Sequence, residues 1–201
     1  MTTIAIIGAG PLGRRLALAA ARAGFRVFLE DVMPSNLHHA QEYLRQQLSP
    51  GSLAVGVLRQ GATSVAPNAR QQEEGGVAPA EITFVSTIED AVRDADLVID
   101  CVPDELESKL EILWLLDRMA PPKTVIATPT TNLSIIDLAA CTYRPDRCVA
   151  IAVEPRALSD AQPGSAILLR TTPGTAPETI SLVRSFWESL GFQATFEQTS
   201  D

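Results

Sequence analysis

Three glycines near the start of the chain have the spacing of a phosphate-binding turn. The segment consists of Gly8, Ala9, Gly10, Pro11, Leu12 and Gly13, and it lies between an apolar run and a stretch of helical periodicity. We expect Gly8 to permit a tight turn, Gly10 to let the backbone approach a pyrophosphate, and Gly13 to let helix and strand pack closely. The first amides of the helix would face the anion. The motif predicts a dinucleotide site with Gly8, Gly10, Pro11, Leu12 and Gly13 as ligands; the alternative is a turn that merely needs glycines.

Two carboxylates follow the second apolar run. Asp31 lies eighteen residues beyond the third glycine, where a fold of this kind places a carboxylate on the adenosine ribose hydroxyls. An acid there repels a 2′-phosphate, and the following Val32 and Met33 supply no cation. The pattern predicts NAD rather than NADP, with Asp31 as a ligand. The alternative is that Glu30 and Asp31 are solvated carboxylates at a strand end.

The elements that must position these residues alternate between short apolar runs and longer stretches of helical spacing. This alternation is typical of parallel strands joined by crossover helices. It predicts an α/β fold, a Rossmann-type doubly wound, mostly parallel sheet, in a single domain over 1–201. The predicted strands are 3–7, 26–30, 82–85, 97–100, 125–128, 148–153, 166–169 and 193–196. The predicted helices are 11–23, 35–47, 88–94, 104–119, 134–140 and 176–190, and Trp114 and Trp187 are expected to be core residues within them.

A long insertion separates the second and third predicted strands, at 33–81. Its first part, 35–47, has helical spacing. The part at 61–80 is dominated by Gly, Ala, Pro, Gln and Ser, and we predict that it is a mobile loop.

Composition argues against several classes of protein. There are 24 acidic and 16 basic residues, giving a formal net charge of -8, which argues against a nucleic-acid partner. No apolar run reaches the roughly 18 to 20 residues of a membrane helix, and the N-terminus has no signal-peptide pattern. We therefore expect a soluble, cytoplasmic protein without a membrane partner. The 3 cysteines lack C-x-x-C spacing, so neither a disulfide framework nor a metal site is expected.

Taken together, these segments resemble the NAD-binding domain of the 3-hydroxyacyl-CoA dehydrogenase family. The resemblance is carried by 4–13 (IAIIGAGPLG), 24–31 (GFRVFLED), 95–104 (ADLVIDCVPD) and 144–147 (RPDR). It extends from Ile4 to about Phe196, with 33–81 poorly matched. It implies NAD as the cofactor and an acyl-CoA-type small molecule as a substrate.

The resemblance also implies where ligands are held. Asp31 would hold the adenosine ribose, while Asp104, where the family usually has Glu, and Lys109 would lie near the nicotinamide ribose. The alternative for Asp104 and Lys109 is an exposed helix pair five residues apart. Thr131 occupies the position of a hydroxyl residue that contacts substrate in the family. The alternative is that Thr130 and Thr131 form a turn ahead of the next helix.

The resemblance breaks at the residues that transfer the substrate proton. The family's sixth strand ends in a His, which a Glu in the next strand orients; here 150–155 reads AIAVEP. The two histidines, His38 and His39, lie in the insertion and are expected to be surface residues. Glu154 stands where the family has Asn and would act as a base if its pKa were raised. Thr131 and Glu154 are therefore the candidate catalytic residues.

Three functions follow from these observations. The first is a NAD-binding protein related to the 3-hydroxyacyl-CoA dehydrogenases, with the usual catalytic His and Glu absent. The second is an active NAD-dependent oxidoreductase on a 3-hydroxyacyl-CoA or other small hydroxy substrate. A homodimer partner or a helical subunit would then complete the pocket, because the family continues into an all-helical domain beyond the matched segment. The third is a non-enzymatic NAD(H)-responsive binding module.

Overall fold

Eight strands form one sheet in the computed structural model of the chain, which describes residues 1–47, 82–153, 162 and 164–199. The strands are β1 (Thr3–Ile7), β2 (Arg26–Glu30), β3 (Ile82–Val85), β4 (Leu97–Asp100), β5 (Val125–Pro129), β6 (Cys148–Ile151), β7 (Ala166–Thr171) and β8 (Gln193–Gln198). The helices are α1 (Pro11–Arg22), α2 (Pro34–Gln47), α3 (Ile88–Val92), α4 (Leu106–Met119), α5 (Ile135–Ala140) and α6 (Pro177–Ser189), with a 3-10 turn at Pro145–Arg147.

The strand order is β3-β2-β1-β4-β5-β6-β7-β8. Strands β2 and β3 lie in turn on one side of β1. The chain then returns to the other side of β1, where β4 and the later strands follow in sequence. The pairs from β3 to β6 are parallel, β6 and β7 are antiparallel, and β7 and β8 are parallel. The Rossmann-type, doubly wound, mostly parallel sheet predicted from the sequence is confirmed.

Alternate side chains of the strands supply two separate apolar layers, because successive residues of a strand point to opposite faces. Ile4 and Ile6 pack on one face with residues of α1, α2 and α6. Ala5 and Ile7 pack on the other face with residues of α3, α4 and α5. Helices therefore cover both faces, as a parallel sheet requires.

The register aligns the carboxyl ends of the three central strands. Ile7 at the end of β1 is paired with Glu30 at the end of β2 and with Asp100 at the end of β4. Register partners in parallel strands share a face, so Glu30 and Asp100 flank Ile7 on the face covered by α3, α4 and α5.

The structure departs from the predicted elements in two places that matter here. Helix α4 begins at Leu106 rather than 104, which leaves Asp104 in the loop before the helix. Trp187 is fully buried, as predicted, but the core prediction for Trp114 is wrong: it is 54% exposed. The Arg118 guanidinium covers its ring, 4.8 Å from the centroid, so the amphipathic Arg side chain shields this apolar surface instead of the core.

The insertion is helical where its spacing predicted a helix, in α2. The segment 61–80, predicted to be a mobile loop, lies outside the described residues, and so does Glu154.

Candidate cofactor site

A cleft of about 460 Å³ opens at the carboxyl ends of β1, β2 and β4. This is where the strand order reverses direction, the place at which open α/β sheets bind their ligands. Its lining includes Gly8, Gly10, Glu30, Asp31, Cys101 and Pro103.

The glycine turn forms the start of the cleft, and two of its glycines have steric reasons visible in the structure. Gly8 has φ of 102°, in the region that disfavours residues with a Cβ. A Cβ on Gly13 would lie 1.8 Å from the Gly8 carbonyl oxygen, whereas a Cβ on Gly10 would have no atom within 4 Å. The steric roles predicted for Gly8 and Gly13 are confirmed. The backbone at Gly10 is open and lines the cleft.

Helix α1 begins in this turn, with Gly10 as its N-cap and Pro11 in its first turn. No side chain caps this end, and the first turn contains no acidic residue. The partial positive charge of the helix terminus is therefore left for an anion. Leu12 belongs to the turn but packs into the core, and its contact with a cofactor stays a prediction.

Asp31 fastens the end of β2 to the glycine turn. Its carboxylate accepts hydrogen bonds from the Ala9 amide at 2.9 Å, from the Met33 amide at 2.8 Å and from the Asn36 side-chain amide at 3.1 and 3.2 Å. A carboxylate offers about four lone-pair sites, so ribose hydroxyls would share or replace the Asn36 bond. Asp31 lines the cleft at the end of β2. Its contact with the adenosine ribose stays a prediction.

Glu30 lies deeper and is only 2% exposed. The alternative of a solvated carboxylate is therefore wrong for this residue. Burial, and secondarily the neighbouring Asp31 charge, raises the pKa of Glu30 to about 7. The alternation of side chains along β2 could have predicted this burial, because Glu30 lies on the same face of the strand as the partly buried Phe28.

Lys109 is fully buried and forms an ion pair with Asp100, also fully buried, with 2.5 Å between Nζ and Oδ1. The exposed helix pair considered for Asp104 and Lys109 is wrong, since α4 turns Lys109 toward the sheet and starts after Asp104. Burial raises the pKa of Asp100, and the Lys109 charge opposes that shift. The contact of Lys109 with the nicotinamide ribose stays a prediction.

Asp104 and Thr131, which the sequence places in separate segments, meet in the structure. The Thr131 amide donates to Asp104 Oδ2 at 3.3 Å, and Asp104 Oδ1 is buried without a hydrogen-bond partner in the described part of the chain. Thr130 has a structural part, because its hydroxyl accepts from the Leu133 amide at 3.1 Å. The turn-forming alternative therefore describes Thr130, while Thr131 lies against the acid.

The two histidines are surface residues, as the sequence predicted, and do not form a buried catalytic pair. His38 and His39 are both exposed on α2, and His38 Nε2 lies 3.4 Å from Glu42 Oε1. Within 1–47, 82–153, 162 and 164–199, no group of three or more His, Cys, Asp or Glu side chains is placed to hold a metal ion. None of the helices in these ranges is long and apolar enough to cross a membrane.

Comparison with known proteins points to one family. The family model described as 3-hydroxyacyl-CoA dehydrogenase, NAD binding domain, matches residues 3–195. A probable 3-hydroxybutyryl-CoA dehydrogenase of Bacillus subtilis is 32% identical over 148 residues, which cover 74% of this chain and 47% of the relative. A 5-formyl-3-hydroxy-2-methylpyridine 4-carboxylate 5-dehydrogenase of Mesorhizobium japonicum is 31% identical over 192 residues, 94% of this chain and 54% of the relative. The chain thus spans about half the length of these curated relatives.

Solved structures show the same fold. The crystal structure of (S)-3-hydroxybutyryl-CoA dehydrogenase from Ralstonia eutropha superposes with a TM-score of 0.76 at 21% identity, covering 100% of this chain and 64% of that one. At that identity the likeness speaks for the architecture alone.

Proposed function

This chain belongs to the 3-hydroxyacyl-CoA dehydrogenase family, whose NAD-binding domain it matches, and from that premise we propose that by itself it binds NAD(H) with little or no turnover of 3-hydroxyacyl-CoA. Bound NAD would supply the hydride acceptor for oxidation of an alcohol carbon. The protein's own part would be to hold the cofactor, align the substrate and accept the hydroxyl proton.

The described residues suit the first of these tasks. The uncapped terminus of α1 and the open backbone at Gly10 fit a pyrophosphate. Asp31 stands at the mouth of the cleft for the adenosine ribose, and its charge disfavours a 2′-phosphate. Asp104, with one buried oxygen that no described group satisfies, is suited to a hydroxyl of the second ribose.

The observation that carries the proposal is the composition of the substrate end. Thr131 lies beside Asp104 through its backbone amide, but both histidines of the chain lie exposed on α2. Helix α2 packs on the opposite face of the sheet from α4 and α5. A neutral imidazole near the substrate hydroxyl is the usual proton acceptor at physiological pH, and this chain brings none to that end.

The experiment is a paired measurement on the purified 201-residue chain. Fluorescence titration should show tight NADH binding. In the same preparation, the turnover rate of NADH oxidation with acetoacetyl-CoA should be well below about 1 s⁻¹, the low end of ordinary enzyme rates. Turnover within the ordinary range would contradict the proposal. If that turnover collapses in Glu154→Gln but survives in Thr131→Ala, Glu154 is the relocated base.

The second candidate is an oxidoreductase completed by another chain. It is favoured by the names of two relatives, both of which are dehydrogenases. Activity per chain should then rise with protein concentration if a second copy completes the pocket, in step with a doubling of the mass measured by light scattering. A monomeric mass with constant specific activity would count against a homodimer.

A further inference from the structure

Glu30 lies on the floor of the cofactor cleft, and nothing proposed above uses it. Its side chain is 2% exposed and lines the cleft, and its Oε1 is buried with no hydrogen-bond partner among the described residues. An unsatisfied buried polar atom is costly, because it has lost its hydrogen bonds to water. Such an atom facing a ligand cleft points to a ligand group that satisfies it.

The walls above Glu30 indicate what kind of ligand group that is. Ile88 of α3 and Ile112 and Leu115 of α4 line the cleft, together with Val102. Apolar walls with a small number of polar groups suit a flat aromatic ring whose hydrogen-bonding edge meets one of those groups.

The charged groups near Glu30 leave its carboxyl without an ion-pair partner among the described residues, so that it can bind a ligand group. Asp31 and Glu111, which line the same cleft, are acids, and the Lys109 ammonium is engaged by Asp100. Glu30 is thus held by burial and by the adjacent Asp31 charge in an environment that favours its protonated form.

We propose that Glu30 reads the amino edge of the adenine ring of NAD(H), and so makes the site selective for adenine over a purine that lacks the amino group. The inference rests on cofactor binding by this chain and is independent of whether the chain turns over a substrate.

The chemistry of the two groups is complementary. Adenine presents its 6-amino donor beside the N7 acceptor, the same pair that an Asn or Gln side chain recognises with two hydrogen bonds, whereas hypoxanthine presents two acceptors on that edge. A protonated carboxyl also offers one donor and one acceptor. With a pKa raised to about 7, a large share of Glu30 carries the proton at neutral pH, and the ionised share still accepts from the amino group.

The test compares NADH with the reduced nicotinamide hypoxanthine dinucleotide, in which a carbonyl oxygen replaces the 6-amino group. Affinities are measured by fluorescence titration in wild type, Glu30→Gln and Glu30→Leu. We expect wild type to bind NADH about tenfold more tightly than the hypoxanthine analogue, the size of one or two lost hydrogen bonds. Glu30→Gln keeps a donor and an acceptor and should retain most of the preference, whereas Glu30→Leu should reduce it to less than about twofold.

The affinity of Glu30→Leu for the hypoxanthine analogue serves as the internal control. It should be no weaker than that of wild type, which separates loss of base reading from general damage to the cleft. Equal affinity of wild type for the two dinucleotides would overturn the proposal whatever the variants do. Binding of neither dinucleotide, or an unchanged preference in a folded Glu30→Leu, would overturn it as well.

Discussion

The Asp104 carboxylate accepts a hydrogen bond from the Thr131 amide, 3.3 Å across the loops that follow β4 and β5. Because the donor is the backbone, this link does not depend on the Thr131 side chain. The two residues can therefore be tested separately, the acid for cofactor binding and the hydroxyl for contact with substrate.

Asp104→Ala should weaken NADH binding about tenfold, since it removes the carboxylate proposed for the second ribose. Thr131→Ala retains the amide donor and should leave NADH affinity within about twofold, well under a kcal/mol. Fluorescence titration of both variants measures the difference. Equal losses in the two variants would argue that the loop pair acts as a structural unit and not through the acid.

The buried ion pair predicts a large effect on stability. Lys109→Met leaves the Asp100 carboxyl buried without its ion-pair partner, which should lower the free energy of unfolding by about 3 to 5 kcal/mol. Adding Asp100→Leu should recover most of that loss, because the double variant has no buried charge. Urea denaturation provides the measurement.

The chain contains its own control for this prediction, because Lys123 is its other lysine. Lys123 pairs with Asp96 at 2.6 Å but is 64% exposed. Lys123→Met should cost less than about 1 kcal/mol. Similar losses for the two lysines would show that burial does not distinguish the pairs.

Glu30 predicts a pH dependence of stability. Its pKa is about 7 in the folded protein against 4.5 ordinarily, so the folded state binds more protons than the unfolded state between these values. Stability should fall as pH rises through that window, and the full cost, up to about 3 kcal/mol, applies above it. Glu30→Gln should thus stabilise the protein near about pH 8 and have little effect near about pH 4. Denaturation of both proteins at the two pH values checks the difference, which would vanish if Glu30 titrates normally.

The glycine turn separates folding from binding. Gly13→Ala places a Cβ 1.8 Å from the Gly8 carbonyl oxygen, so we expect a loss of about 2 to 4 kcal/mol of stability. Gly10→Ala meets no atom within 4 Å and should leave the thermal midpoint nearly unchanged. It should nonetheless weaken NADH binding severalfold, because its methyl group occupies the open space above the backbone. Unchanged NADH affinity in Gly10→Ala would contradict a pyrophosphate at this position.

The sequence predicted β1, β2, β3 and β4 with the bounds observed, because each is a short apolar run whose limits are marked by polar or glycine residues. The glycine turn was equally accessible, since its spacing reflects local backbone sterics. These features depend on neighbouring residues, which is why a single sequence is enough to predict them.

The partners of the buried charged groups were not accessible in the same way. Asp100 and Lys109 are nine residues apart, and their pairing depends on how α4 packs against β4. Spacing on a helix indicates an apolar stripe, but it does not say which polar residue inside that stripe finds an opposite charge. The exposed Trp114 has the same origin, since α4 has more apolar positions than the sheet covers.

The antiparallel join between β6 and β7 has a practical consequence. The cofactor cleft lies at the carboxyl ends of the parallel strands. Strand β8, which is parallel to β7, instead ends at the amino ends of those parallel strands. Thr3 begins β1 at that same end of the sheet. At about 3.3 Å per residue, a five-residue strand separates the two ends of the sheet by roughly 16 Å. An affinity handle or a surface-immobilisation linker joined to either terminal strand would therefore leave the cleft facing the solution, so binding can be measured on the tethered protein.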